Sequence, residues 1–391
     1  MDPAIHQSLG FLSLLIIGLF LKLKIRDDRE LRGIKTVILS VALPATIFVA
    51  LLKIELTGSL IILPILGLAA NVILYLLGTL LIVPLFAKTE SEDRKRTYRL
   101  LIASFAPGLS CFPFIIEYLG DQALANAALV DVGNKIFVLI VLYLIAMKWY
   151  QDRKSRNTDE KIDIGSRLKS LLISLVKEPV NGVIIFALVL LMFGMNLLSL
   201  PLFMQQFVTK AHVLTTGLVL IFIGAAFNIQ KAEAQSIFSV LLLRSGVAFF
   251  VSAIALLLVG GGMAPALALL LVIFPQSSCS FWPLAHMSAV DEVEQKEQLG
   301  RTFNIQSGLN VLACSLPFSS MLILGICTTG EFFVDPMPNI VLAAFMILGG
   351  IALRYLPRPL GIFLHDYREE IMQMRSEKSQ HQIGERVHNY H

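Results

Sequence analysis

The chain has 391 residues, of which 56% are hydrophobic and only 15% charged, with a net charge of +4 and a mean hydropathy of +0.74. Soluble globular chains carry about a quarter charged residues, so the composition excludes a soluble domain and points to a polytopic α-helical membrane protein. The positive excess lies in basic loops between apolar runs, so it is no sign of a nucleic-acid partner.

Taken in order, the apolar spans fall at roughly 5–24, 34–53, 58–86, 97–118, 121–147, 180–199, 211–230, 236–259, 265–289, 302–328 and 338–355, about eleven in all. Leu56 to Ala87, Pro179 to Thr209, Ser245 to Val290 and Thr302 to Gly330 contain no Asp, Glu, Lys or Arg. Each of those runs exceeds the ~20 residues that cross a bilayer as helix. Basic residues follow the first span (Lys24, Arg26, Arg29, Arg32) and the third (Arg94, Lys95, Arg96), and they recur through the polar stretch Lys148 to Lys177. The alternate connections, such as Glu117 to Asp121 and Gly260-Gly261-Gly262, are short and nearly uncharged. The positive-inside rule then puts the N-terminus outside and the C-terminal tail in the cytoplasm, as in a multi-pass protein of a bacterial inner membrane. MDPAIHQ carries no basic charge ahead of the first span, so that helix is expected to be retained rather than cleaved as a signal. Ile164, Leu168, Leu171, Leu172 and Leu175 recur at helical spacing among basic residues, which predicts an amphipathic helix on the cytoplasmic surface. Beyond Arg354, Ile362, Phe363, Tyr367, Ile371 and Met374 admit either a short amphipathic helix or a solvated tail.

Two spans carry the same interruption. Pro107 to Cys111 and Pro275 to Cys279 both read P-x-x-S-C, and further prolines follow at Pro113 and Pro283. Proline removes the bond to the carbonyl four residues earlier, which frees the carbonyls of Ala103, Leu109, Leu271 and Cys279. The fourth span runs inside to outside and the ninth outside to inside, so the two interruptions sit at corresponding places in two inverted halves. Broken helices so placed mark a transporter's binding site; the plainer reading is a pair of proline kinks. None of the cysteines Cys111, Cys279, Cys314 and Cys327 lies in a C-x-x-C pair or near a His at ligand spacing, so neither a metal nor a disulfide framework is expected.

Several stretches together resemble the auxin efflux carrier family of permeases. They are "LRGIKTVILSVALPATIFVALLKIEL", "LIASFAPGLSCFPFIIEYLG", "ALVDVGNKIFVLIVL" and "KEPVNGVIIFALVLLMFGMNLL", within a pattern that covers roughly residues 9 to 328 in the family's order. The resemblance implies an all-α fold of two inverted five-helix repeats, with broken helices four and nine crossing at the substrate site and an elevator-like movement. On that division, residues 1–150 form the first repeat, 151–179 the cytoplasmic linker and 180–330 the second repeat. Residues 331–391 add an extra transmembrane helix and tail. Ala106 stands where the family has an asparagine in helix four, and Ser278 and Cys279 are nearest to the corresponding amide in helix nine. The family's substrates are therefore not carried over.

The candidate substrate site is the pair of interruptions. Ser104, Ala106, Pro107, Ser110, Cys111 and Pro113 come from the first, and Pro275, Ser277, Ser278, Cys279, Ser280 and Pro283 from the second. Their hydroxyls and unwound N–H groups would meet an anion, with Phe112, Phe281 and Trp282 as an apolar wall. Serine in a membrane helix equally bonds its own helix carbonyl. The second constellation is Asp131, Asn134 and Lys135, with Asn304 and Asn310 as counterparts in the other half. A charge at mid-membrane costs at least ~2.5–3.5 kcal/mol on insertion scales, so Asp131 and Lys135 are either a coupling pair or a self-neutralised i,i+4 pair. Arg244 is expected to snorkel to a helix end.

The reading that follows is a secondary transporter of a small organic anion or amphiphilic solute. The alternative is a transporter-like sensor without net transport. The expected partners are a small-molecule substrate and membrane lipids, with a proton or sodium as coupling ion, a homodimer as the candidate assembly and no nucleic acid. No cofactor and no enzymatic chemistry are expected.

Overall fold

A computed structural model of the protein describes residues 3–25, 28–53, 62–86, 90–154, 173, 179–226, 234–259, 262–296 and 300–355. No strand occurs among the described residues. Helix α1 is Pro3–Lys22. Helix α2 runs from Asp28–Val37 through a π-helical turn, Ile38–Ala42, into Leu43–Leu51. Next come α3 (Ile62–Phe86) and α4 (Glu92–Ile102). After a single short turn, Pro107–Ser110, α5 (Phe112–Ile136) continues through a second π-helical turn, Phe137–Val141, into Leu142–Lys154. The remaining helices are α6 (Pro179–Met192), α7 (Leu202–Ala226), α8 (Ala234–Val259), α9 (Pro265–Ile273), α10 (Phe281–Lys296), α11 (Ile305–Thr329) and α12 (Pro336–Tyr355). The expected amphipathic helix in the linker and the C-terminal tail lie outside the described residues, apart from Ile173.

Eight helical segments among the described residues are long and apolar enough to cross a membrane, and His6–Lys22 and Pro179–Met192 are shorter apolar helices. The protein is a multi-pass membrane protein. Three departures from the expected spans have local causes. The fourth span is not one helix, because Pro107 breaks it after Ile102. Its second part joins the fifth span at Gly120, whose φ of 81° bends the chain in a conformation that glycine tolerates best. The sixth span ends at Met192 rather than near 199. Gly194 turns the chain with φ +70°, and Asn196 then caps a 3-10 turn by exchanging bonds with Ser199. Helix α7 consequently starts just after Pro201, well before the expected 211, because hydropathy reads straight through an apolar turn.

Where helices press closest, glycine lets backbone meet backbone. A Cβ on Gly18 would lie 2.2 Å from the Ile221 carbonyl oxygen, and one on Gly224 would lie 2.1 Å from that of Leu15, which fixes α1 against α7. Gly67 and Gly133 do the same for α3 and α5, facing the carbonyls of Val130 and Pro64. Such small-residue contacts are a common means of packing helices in lipid. Helices α1, α2, α6 and α7 pack among themselves. Thr46 of α2 meets Thr215 of α7 at 2.6 Å, and Phe48 stacks on Phe186 of α6. Helix α12 lies along α8, where Gly246 meets Ala343 and Ile347, and Gly350 meets Leu243.

Candidate functional site

Pro107 and Pro113 start helical turns rather than kink a helix, whereas Pro275 lies in the last turn of a helical run. Pro107 begins the short turn, Pro113 sits in the first turn of α5, and Pro275 opens a 3-10 turn, Phe274–Gln276, after α9. Proline is suited to positions 107 and 113 because its missing N–H would have no helical partner in a first turn. Between helices the chain is unwound at 103–106 and 277–280. Of the carbonyls that the prolines free, that of Ala103 accepts from Asn71 Nδ2 at 2.7 Å and that of Leu271 from Ser252 Oγ at 2.8 Å. Side chains of neighbouring helices thus replace the lost helical donors.

The two unwound stretches lie against each other and exchange hydrogen bonds. Ala106 N–H donates to the Ser278 carbonyl at 2.8 Å. Ser110 Oγ accepts from Ser278 N–H at 2.9 Å, and Ser104 Oγ accepts from Ser280 N–H at 3.0 Å. Ser315 of α11 takes the Cys279 N–H. Each serine also donates within its own stretch, Ser104 to Leu101 O, Ser110 to Ala106 O and Ser277 to Phe274 O. These N–H groups, expected to face an anion, are therefore already used in joining the two breaks.

Asn134 supports the same place from α5. Its Nδ2 donates to the Phe105 carbonyl at 3.0 Å and to Asp131 Oδ1 at 2.7 Å. Its Oδ1 accepts from Phe105 N–H at 3.3 Å and from Asn71 Nδ2 at 3.0 Å. Lys135 pairs with Asp131 at 3.2 Å and donates to Asn181 Oδ1 of α6 at 3.0 Å. Arg244, expected to snorkel, is instead fully buried in α8. Its guanidinium donates to the carbonyls of Ile102 at 3.0 Å and Ser104 at 3.1 Å, and across to that of Ser277 at 2.7 Å. It cannot reach water because both breaks and the Phe105 ring enclose it.

A cavity of about 590 Å³ opens beside the clasped breaks. Of the expected site residues, Ala106, Pro107, Ser278, Cys279, Ser280, Asp131, Asn134 and Lys135 line it. Ser104, Ser110, Cys111, Pro113, Pro275, Ser277 and Pro283 are buried in or behind the clasp and do not line it. Asn304 stands apart: it caps α11 through Ser307 N–H and donates to Asp93 of α4. Asn310 accepts from Gln306 on its own helix and does not line the cavity. The pairing of these two with Asn134 followed from the inverted register, which says nothing about which face of α11 they occupy.

Most of the wall is apolar, including Leu39, Leu43, Phe105, Phe112, Val138, Trp282 and Leu316. Lys35, at the cavity edge, lies 5.6 Å from the centre of the Phe281 ring. Lys35, Asn71 and Asn181 were not among the expected residues. For the two asparagines the signal available was a single amide in an otherwise apolar helix; for Lys35 it was one cation just inside the second span, next to a basic loop. Both π-helical turns contribute lining residues, Leu39 and Ser40 from one and Val138 from the other. Such turns in long helices occur frequently at functional sites. Compared with family models and with curated proteins, the chain has no match.

Proposed function

We propose that the protein is a secondary transporter that moves a small organic anion or amphiphilic solute across the membrane. The observation that carries this reading is a mostly apolar cavity placed where two helices of a membrane protein are both unwound, with Asp131, Asn134 and Lys135 in its wall. Irregular backbone at membrane depth is tolerated where it is enclosed by protein or lines a watery cavity. Buried ionisable groups beside such a cavity mark solute and ion pathways. In this reading residues 1–150 and 180–330 are inverted repeats, and the Asp131–Lys135 pair couples solute movement to a proton or sodium ion.

Counterflow in proteoliposomes tests the proposal. Preloaded unlabelled solute should accelerate entry of the labelled solute, and vesicles without the protein should show none. Saturable binding with no counterflow would favour a sensor built on the same helices.

A further inference from the structure

Arg244 is 1% exposed, at a place where a charge is hard to keep. Its three acceptors are carbonyls, one at the end of α4, one on the first break and one on the second. No carboxylate stands within ion-pair distance of it among the described residues. The carbonyls take three of its five N–H groups and carry only partial charge, so a full positive charge remains. Holding unwound backbone does not require one. Asn134 and Ser110 hold the same two stretches with neutral groups.

The charge lies just behind the cavity wall. Arg244 stacks on the ring of Phe105 at 5.5 Å and takes the carbonyl of Ser277. Phe105 and Ser278, the neighbour of Ser277, both line the cavity. Within the wall itself Lys135 and Asp131 largely cancel at 3.2 Å. Lys35 adds a second unneutralised cation, but it is partly exposed, so salt screens it. Arg244 is enclosed on all sides, and its field persists.

We propose that Arg244 is the residue that sets the charge preference of the cavity. It holds the two breaks in register and, without touching the solute, gives the cavity a positive potential that favours one negative charge. The inference rests on the reading of this cavity as the solute site.

The test uses purified full-length protein and two probes of nearly equal shape, phenylacetate and phenylacetamide, with binding read by calorimetry. The unmodified protein should prefer the carboxylate by about tenfold or more. That preference should survive about 0.5 M salt, where the screening length falls to a few ångströms. Arg244→Lys should keep it, and Arg244→Gln, which still donates to carbonyls, should bring the two probes to parity. Lys35→Gln should leave the preference in place. If Arg244→Gln does not fold, the salt series and Lys35→Gln still decide. Loss of the preference in either assigns it to Lys35 and overturns the proposal, as does an Arg244→Gln protein that retains it. Equal binding of both probes by the unmodified protein overturns this inference alone, and counterflow would still stand. Binding of neither probe overturns it together with the choice of cavity.

Discussion

The side chain of Asn134 takes both polar backbone groups of Phe105, the N–H and the carbonyl, as a neighbouring strand would. Without it, two buried backbone groups at the first break lose a partner. Each such loss costs about 1–3 kcal/mol, so Asn134→Ala should lower stability by about 2 kcal/mol or more. Thermal unfolding in detergent measures it, and an unchanged transition would remove Asn134 from the support of the break. The Asp131–Lys135 pair calls for a two-part test, because both side chains are buried, at 4% and 9% exposure. Asp131→Asn takes away the carboxylate that lies 3.2 Å from the Lys135 ammonium. Removing one partner of a buried pair costs about 3–5 kcal/mol. Lys135→Met in the same chain should restore the unfolding temperature but leave concentrative uptake abolished. Recovery of uptake in the double variant would show that the two charges serve only each other.

At the scale of the element, what matters is that a broken helix has to be held by something other than itself. Ser104 and Ser110 each accept an N–H from the opposite break. Ser104→Ala and Ser110→Ala should each destabilise by about 1–3 kcal/mol. In a double-mutant cycle the two should fall short of additivity, since separating the breaks at one point strains the other. Strict additivity would mean that the clasp is two independent bonds. Glycines offer a second comparison. Gly133→Ala puts a Cβ 1.7 Å from the Pro64 carbonyl oxygen and must push α3 from α5, whereas a Cβ on Gly217 in α7 meets nothing within 4 Å. Gly217→Ala should therefore stabilise by up to about 1 kcal/mol through helix propensity. Gly133→Ala should reduce the yield of folded protein, and size-exclusion profiles of the two variants side by side check both outcomes.

Across the whole molecule, the helices divide by what they touch. Helices α1, α2, α6 and α7 pack together, while the breaks are enclosed by α3, α5, α8 and α11. The two groups share one apolar core, in which Phe11 of α1 packs on Phe114 of α5, and a few polar ties cross between them. Lys53, after α2, pairs with Asp121 of α5 at 2.8 Å, and Ser8 of α1 meets both Tyr118 of α5 and Thr328 of α11. An alternating-access movement in the proposed transporter must part such ties. With cysteines at positions 53 and 121, a short bifunctional thiol reagent should stop counterflow while leaving solute binding intact. Unimpaired counterflow in the cross-linked protein would place the movement elsewhere. Helix α12 belongs with α8: Ser239 donates to the Gly350 carbonyl, and Arg354 reaches Glu90 at 2.9 Å and Ser236 at 2.7 Å. Any displacement of α8 therefore carries α12 with it.

The sequence by itself determined that the chain is helical and lives in a membrane, because charge-free runs of that length have no other stable solution. It also determined where two helices break, because proline at 107 and 275 removes a donor whatever the surroundings. The i,i+4 spacing of Asp131 and Lys135 was enough to bring them into reach of one another. What the tertiary structure alone decided is which groups the breaks meet. Ser104 and Ser110 looked like ligands for a solute, but the second break supplies N–H groups that take their oxygens. Asn304 matched Asn134 by register and instead caps a helix, since register fixes position along a helix and not the neighbour it faces. Arg244 shows the same limit most plainly. Its place in α8 suited an escape to the membrane surface, and only the packing of α8 between two unwound stretches turned it inward to their carbonyls. Periodicity and proline chemistry act within a few residues along the chain, whereas the partner of a buried polar group comes from another element, 29 residues away for Asn134 and Phe105 and 168 for Ser110 and Ser278.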